Sequence, residues 1–491
     1  MRFLLAAAVL LTVLAASPPA HAKAVRPSGP VDAAHRTSYG QDADWTSYGH
    51  DAQLTNRVRS QSLGARTASR LALQWRTRLD SGVTASPLAA TIDAGGITRT
   101  LVFVATWAGS VSALDAGTGS IVWTRTFESV DTGACGQYGI ASTPAIDVKR
   151  GRLYAIGADG LLRGLDLATG DDAPGFPIRL IDRTATEYVW GGLRIVQDRL
   201  YVPVASYCDA PDDAQIAADG RLIAIDLGSL APAGTFDAVP GFGFLGGLWG
   251  WGGVSAEPDG SVVYSAVGNS SVYSADCDCL VDDGGYGDSV VALTPDLQTV
   301  LDWNRPATVP NVGDADFGAA PLLFQPDVCP PLAAANNKTG ALYIWDRRAL
   351  GAGPIATVGL GDATAPFVGA PSYDPAGGLI YDSQVFMTDS DTGRKYGVAA
   401  LGPGADCTFT IVWRAAFGSG SQAPPIVVGD VVLVGGGFDG GFAALDGSTG
   451  RLLWSYATDE PTLAPLISVG GSVFGADLDG NVYAFAVAPA S

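Results

Sequence analysis

One phrase recurs along this chain, and it restricts the fold more than any other feature. Ala113-Leu114-Asp115-Ala116-Gly117-Thr118-Gly119, followed by Trp123, returns as Ala444-Leu445-Asp446-Gly447-Ser448-Thr449-Gly450 with Trp454. A partial copy is Leu165-Asp166-Leu167-Ala168-Thr169-Gly170. Weaker echoes are Ala224-Ile225-Asp226, Ala292-Leu293 leading to Trp303, Ile344-Trp345-Asp346, Ala399-Ala400 leading to Trp413, and Tyr483-Ala484-Phe485. Successive echoes lie roughly 40 to 70 residues apart and make about eight units, in the period range of propeller blades. The local physics is that of a hairpin. The Asp carboxylate accepts backbone N–H groups of the turn and Gly supplies the positive φ. The Trp then falls on the returning strand, where its ring packs against the neighbouring blade.

A second regularity precedes each phrase: a small residue and Pro, an apolar strand, a turn, and another strand. Examples are Ala85-Ser86-Pro87, Ser142-Thr143-Pro144, Ala320-Pro321, Ala423-Pro424-Pro425 and Ala464-Pro465. Strands such as Leu200-Tyr201-Val202-Pro203-Val204 are β-branched or aromatic and bounded by Gly and Asp. No long amphipathic helix follows the N-terminal apolar run, so the expected class is all-β, an eight-bladed β-propeller. The last unit ends at Val487 without an outer Trp strand. Leu71-Ala72-Leu73-Gln74-Trp75-Arg76 is expected to supply it, pairing the two ends and removing exposed edges. No Pro/Ser/Gly linker interrupts the repeats, which argues against a string of separate β modules.

The N-terminus reads as an export signal over residues 1–22. Arg2 gives a positive start, Phe3 to Ala16 an apolar run, and Ala20-His21-Ala22 a cleavage site. The expected organisation is signal peptide 1–22, an N-terminal extension 23–69, and the propeller over 70–491, secreted or periplasmic after cleavage near Ala22. The apolar run is short for a membrane span. A net charge of −20 with four Lys argues against nucleic acid, which needs a basic face. Six Cys in an exported chain read as disulfides. Cys135 with Cys208 and Cys329 with Cys407 are the favoured pairs; Cys277 and Cys279 are too close for an ordinary loop-closing bridge, though a short link between them stays open. The three His lie at or before residue 50, which disfavours Ser-His-Asp chemistry and His-ligated metals.

The Asp-x-x-Thr-Gly-x-x-x-Trp repeat and the segment Asp44-Trp45-Thr46-Ser47-Tyr48-Gly49-His50-Asp51, with Asn56-Arg57 after it, resemble the pyrroloquinoline-quinone (PQQ) alcohol dehydrogenases. Polyvinyl-alcohol-dehydrogenase-like proteins are the nearest group suggested. The likeness spans nearly the whole mature chain, but the repeat also builds non-enzymatic propellers, such as the outer-membrane assembly factor of Gram-negative bacteria. It implies PQQ at one mouth of the ring, stacked on a Trp, with Ca²⁺ beside it. Trp249 in Trp249-Gly250-Trp251 matches the floor Trp, and Asn269 in Val267-Gly268-Asn269 matches a calcium-binding Asn. In Asn311-Val312-Gly313-Asp314-Ala315-Asp316-Phe317-Gly318, Asp314 matches the catalytic base and Asp316 is read as structural. Lys338, in Asn336-Asn337-Lys338-Thr339-Gly340, matches a basic contact to the quinone oxygens. The family's acidic calcium ligand is replaced: Tyr207-Cys208-Asp209 stands in its place, and Asp209 is the candidate metal ligand. The family's adjacent Cys pair is missing, and without Cys-x-x-Cys-His no c-type haem is expected. The loop from Asp276 to Asp283 reads as a solvated acidic loop without EF-hand spacing.

Two functions follow. In one, an exported dehydrogenase oxidises a small alcohol, polyol or polymer with PQQ and Ca²⁺ and passes electrons to an external acceptor. In the other, a non-catalytic propeller binds a protein, polymer or cell-wall partner.

Overall fold

The computed structural model describes residues 44–489 apart from 61, 95, 132–136, 183–185, 207–218, 242–243, 311–314, 362–368, 389–394 and 418–422. The export signal, Cys135, Cys208, Asp209 and Asp314 all lie outside the described residues.

Each repeat folds into one antiparallel sheet, and eight such sheets form a propeller. In blade 1 the strands run Leu88–Ala94, Ile97–Ala105, Ser110–Asp115 and Ile121–Thr126, in that spatial order from the centre outward. The innermost strands of blades 2 to 7 are Ala145–Asp147, Arg194–Val196, Val254–Ala256, Leu322–Phe324, Ser372–Asp374 and Ile426–Val428. The innermost strands of blades 1, 2, 5 and 7 follow at once on a small-Pro element of the sequence, and that of blade 8, Ile467–Val469, follows one after a single residue. Second and third strands are buried on both faces between neighbouring blades, so they read as near-continuous apolar runs, such as the wholly buried Val431–Gly435. Outer strands cover one face only and alternate: in Ile121–Thr126 only Trp123 is buried. Helix among the described residues is confined to short 3₁₀ turns, Ala68–Arg70 and Leu350–Ala352, and no described helix is long and apolar enough to cross a membrane.

Blade 8 joins the two ends of the chain. Ile467–Val469, Ser472–Ala476 and Asn481–Val487 supply three strands, and Leu71–Arg78 supplies the outermost. The register sets Trp75 opposite Ala484, Arg76 opposite Tyr483 and Arg78 opposite Asn481. This is the closure expected from sequence.

The repeated phrase acts as a latch between blades. Asp115 Oδ1 accepts the N–H groups of Gly117 and Thr118, and Asp166 and Asp446 do the same in their turns. The turn then receives a Trp from the preceding blade: the indole N–H groups of Trp75, Trp123 and Trp413 donate to the carbonyls of Ala116, Leu167 and Gly447 at 3.0, 3.0 and 2.9 Å. Each ring lies against the turn glycine so closely that a Cβ on Gly119, Gly170 or Gly450 would stand 2.6, 2.7 or 2.5 Å from it. These glycines also have φ of +71, +77 and +69°, so both room and conformation require Gly there.

The segment Trp45 to Val58 winds across the inner edges of the ring. Trp45 pairs with Ala89 of blade 1. The N–H groups of Ile146, Ala256, Leu323, Tyr373 and Val427 donate to carbonyls of Thr46, Ala52, Gln53, Thr55 and Asn56 at 2.8–3.0 Å, which brings in blades 2, 4, 5, 6 and 7. Blade 3 contributes buried Arg194, whose guanidinium donates to Ser47 Oγ and Asp51 O at 2.7 Å and to Tyr48 O. Burial pulls Arg194 down to about 10, so it stays charged at neutral pH. Arg57–Val58 pairs parallel with Ile426–Val428, and Arg57 bonds Asp374 at 3.0 Å.

Cys329 and Cys407 are disulfide-bonded, tying blade 5 to blade 6, as expected. Cys277 and Cys279 also form a bridge, settling the open alternative at those positions.

Candidate functional site

Because every blade runs centre to rim as an up-and-down meander, one set of loops gathers at each end of the ring. The segments leading into the innermost strands meet the turns between second and third strands at one mouth: Trp107 of such a turn donates to Thr84 of a leading segment at 2.7 Å. The Asp-Thr-Gly turns lie at the other end.

Blades 1 to 3 line the mouth with aromatic rings. Tyr138 packs at centroid distances of 4.8, 5.5 and 5.2 Å from Trp107, Tyr188 and Trp190. Trp190 Nε1 reaches Ser206 O at 3.3 Å. The wall continues into blade 4, where the Gly-rich stretch Gly246 to Gly253 carries Trp249 and Trp251. That stretch must pass close to its neighbours: a Cβ on Gly250 would lie 2.9 Å from the Ala319 backbone. Trp251, Tyr48, Leu54, Ala319, Ala320 and Ala370 pack together beneath it.

Trp249 is half-buried, and its Nε1 is buried with no hydrogen-bond partner among the described residues. The Lys338 ammonium stands over its ring, 4.7 Å from the centroid. Lys338 occupies the turn after Leu332–Asn337 of blade 5 and also bonds Asp316 Oδ2 at 2.9 Å. Asp316 is 3% exposed, and the Lys338 cation offsets part of the cost of burying its carboxylate. Its other oxygen accepts the Asn269 N–H at 2.6 Å, and its carbonyl accepts the Lys338 N–H at 2.8 Å. Asn337 Nδ2 holds Ala315 O at 2.6 Å and so fixes the same loop. The Asn269 side-chain amide makes no hydrogen bond among the described residues.

Behind Asn269 lies an acid pair. Asp282 Oδ1 accepts the Ser270 N–H at 2.7 Å, and Asp288 Oδ2 accepts Arg305 at 3.0 Å. Their other oxygens, Asp282 Oδ2 and Asp288 Oδ1, are buried without a hydrogen-bond partner among the described residues, although Arg305 approaches Asp282 Oδ2 to 4.0 Å. Burial first, then the hydrogen bond to Asp282 and the charges of Asp316 and Asp282, hold Asp288 well above the usual carboxylate range; Arg305 opposes the shift. One proton on Asp288, donated to Asp282, satisfies both bare atoms. The acidic loop expected to be solvated is therefore mixed: Asp276 and Asp278 are exposed, but Asp282 turns inward.

The structure thus brings Trp249, Lys338, Asn269 and Asp316 together at one mouth. The expected base Asp314 and expected metal ligand Asp209 lie outside the described residues. Among the described residues no group of three His, Cys, Asp or Glu is placed to hold a metal. Sequence reasoning passed over the ring wall of Trp107, Tyr138, Tyr188 and Trp190 and the buried Asp288 and Asp382, and it read Asp282 as solvated. A carboxylate inside the apolar strand Leu379–Thr388 was the available signal for Asp382.

A family model described as outer membrane protein assembly factor BamB matches residues 60–228 and 379–489. The unmatched interval carries Trp249, Asn269, Asp316 and Lys338. No curated protein matches the sequence. Among solved structures, a europium-containing methanol dehydrogenase superposes with a TM-score of 0.70 at 17% identity, covering 91% of this chain and 98% of that one. A quinohemoprotein alcohol dehydrogenase from Comamonas testosteroni gives 0.69 at 17%, covering 94% and 83%. BamB from Moraxella catarrhalis gives 0.52 at 17%, covering 86% and 99%. At such identities the likeness is one of fold.

Proposed function

The chain belongs to the PQQ-repeat β-propeller family, and from that premise we propose that it is an exported quinoprotein-type dehydrogenase of alcohols or polyols. The observation that carries this reading is the indole of Trp249 with the Lys338 ammonium over its face. A flat anionic quinone laid on that indole gains a stacking surface and meets a fixed cation at once.

PQQ, when bound, supplies the two-electron acceptor for the alcohol carbon. The chain's residues do the rest. Asp314 takes the proton of the substrate hydroxyl as general base. Asp316 holds Lys338 in place, and through the Asn269 N–H it joins blade 4 to blade 5. The ring wall from Trp107 to Trp190 excludes water on the blade 1–3 side. Asn269 offers its unengaged amide oxygen to Ca²⁺, with Asp209 as the acidic ligand. The described residues alone fall short of the six to eight oxygens that calcium takes. An external acceptor collects the electrons.

A second reading rests on the matched model itself, which carries the name of an assembly factor and stops short of the interval 229–378. In it the propeller binds a protein, polymer or cell-wall partner without catalysis.

Titration of the mature protein with PQQ, with and without Ca²⁺, separates the two. Tryptophan quenching and dye-linked alcohol oxidation are the readouts. The dehydrogenase reading expects quenching that weakens in Trp249→Ala, and turnover lost in Asp314→Asn with binding retained. Absence of PQQ binding at micromolar concentration refutes it and leaves the binder.

A further inference from the structure

Beneath the mouth, three buried acceptor oxygens have no donor among the described residues: Asn56 Oδ1, Asn336 Oδ1 and Asp382 Oδ2. All three residues are 1% exposed. They gather on the segment leading into blade 6. Asn336 Nδ2 donates to Gly369 O at 3.2 Å, Tyr48 Oη accepts the Ala370 N–H at 3.1 Å, and Asn56 Nδ2 reaches Pro371 O at 3.5 Å. Asn336 Nδ2 also donates to Asp382 Oδ1 at 2.9 Å. Both amides therefore spend their N–H groups on neighbouring oxygens and leave their carbonyl oxygens bare. No Lys or Arg among the described residues pairs with Asp382. The nearby Arg194 bonds Ser47, Tyr48 and Asp51 through its two terminal nitrogens, and its Nε donates to none of these three oxygens.

Buried oxygens without donors are costly. A carboxylate, two amide oxygens and a phenol oxygen form the donor set of a hard cation, which takes oxygens alone. We propose that Asp382, Asn336, Asn56 and Tyr48 hold a hard cation, Na⁺ or Ca²⁺, at a site distinct from the mouth. It staples the N-terminal segment to blades 5 and 6. With one carboxylate in the set, binding is weak, in the millimolar range of sparsely charged sites (~10⁻³ M). Asn336 is followed by Asn337 and Lys338, so the staple also steadies the back of the mouth. This inference does not depend on PQQ.

The test uses the full-length, chelator-treated, cofactor-free protein in an Asn269→Ala background, which silences cation binding at the mouth. Thermal midpoints are measured as choline chloride is replaced by NaCl at constant ionic strength, and separately with millimolar CaCl₂. The midpoint should rise with Na⁺ or Ca²⁺ over choline. Adding Asp382→Asn should abolish that rise while leaving the midpoint in choline equal or higher. Asn336→Asp, which adds a carboxylate, should enlarge the rise. An equal cation response with and without Asp382→Asn overturns the proposal. So does the absence of any response, which leaves ordered water as the filler.

Discussion

The seam at blade 8 can be tested through the indole that crosses it. Trp75 is 8% exposed, its Nε1 holds Ala116 O at 3.0 Å, and its ring lies on Gly119 of blade 1. Truncating it to Ala should destabilise the protein by about 3–5 kcal/mol, the range for a buried Trp. Gly119→Ala probes the same contact from the other side. Its Cβ would stand 2.6 Å from the indole, and the residue would keep a φ of +71°. The left-handed backbone costs about 1–2 kcal/mol and the overpacking about 1–3 kcal/mol. In Trp75→Ala the second contribution largely disappears, leaving the backbone strain and a contact with Thr77 Oγ1, which can rotate. The double mutant should thus be more stable than the sum of the singles by about 1–3 kcal/mol. Guanidinium unfolding of all four proteins, followed by circular dichroism, measures the cycle. Additivity within about 0.5 kcal/mol would refute the latch. So would a Trp75→Ala effect no larger than that of Trp303→Ala, whose ring is 42% exposed.

Lys338→Ala should cost about 2–3 kcal/mol, less than a fully stranded buried charge, because Asp316 keeps the Asn269 N–H; an unchanged melting midpoint would contradict the pairing. Cys329 and Cys407 are 78 residues apart, whereas Cys277 and Cys279 are 2 apart. Loop-closure entropy gives about 4–5 kcal/mol for the first and about 1–2 for the second, so Cys329→Ser/Cys407→Ser should lower the denaturation midpoint far more than Cys277→Ser/Cys279→Ser. Asp288 holds its proton in the fold well above the usual range, so its contribution is fully present in acid and is lost as pH rises toward the raised value. Asp288→Asn keeps a donor toward Asp282 without the titration, and its melting midpoint should fall less steeply with pH than that of the wild type; parallel profiles would exclude the shared proton.

The blades were legible because each is a local event. Asp115, Thr118, Gly119 and Trp123 mark a turn and its return strand within a dozen residues, and the strand at Trp75 was found as the piece that the final repeat lacked. The N-terminal course was not legible. Its contacts, such as that between Tyr48 and Ala370 at a separation of 322 residues, exist only once the ring has closed. The mouth was partly legible. Trp249, Asn269 and Lys338 stood out by pattern, and the structure assembles them around Asp316. Asp282 looked like part of a hydrophilic loop, since nothing in the sequence shows that Ser270 and Arg305 turn it inward. Asp382 was hidden because its partner Asn336 belongs to another blade.

The closing strand has a consequence for the order in which the molecule is made. Arg76 leaves the ribosome long before Asn481, its hydrogen-bonding partner 405 residues later. Until then Leu71–Arg78 is an orphan strand with an open edge, the kind of surface that recruits other copies. Its exposed positions are Leu73, Arg76 and Arg78, with Gln74 partly exposed, so the waiting strand shows two charged residues to water beside one apolar one. A contact of such long range also makes final assembly slow. The piece synthesised early is the one that finishes the ring.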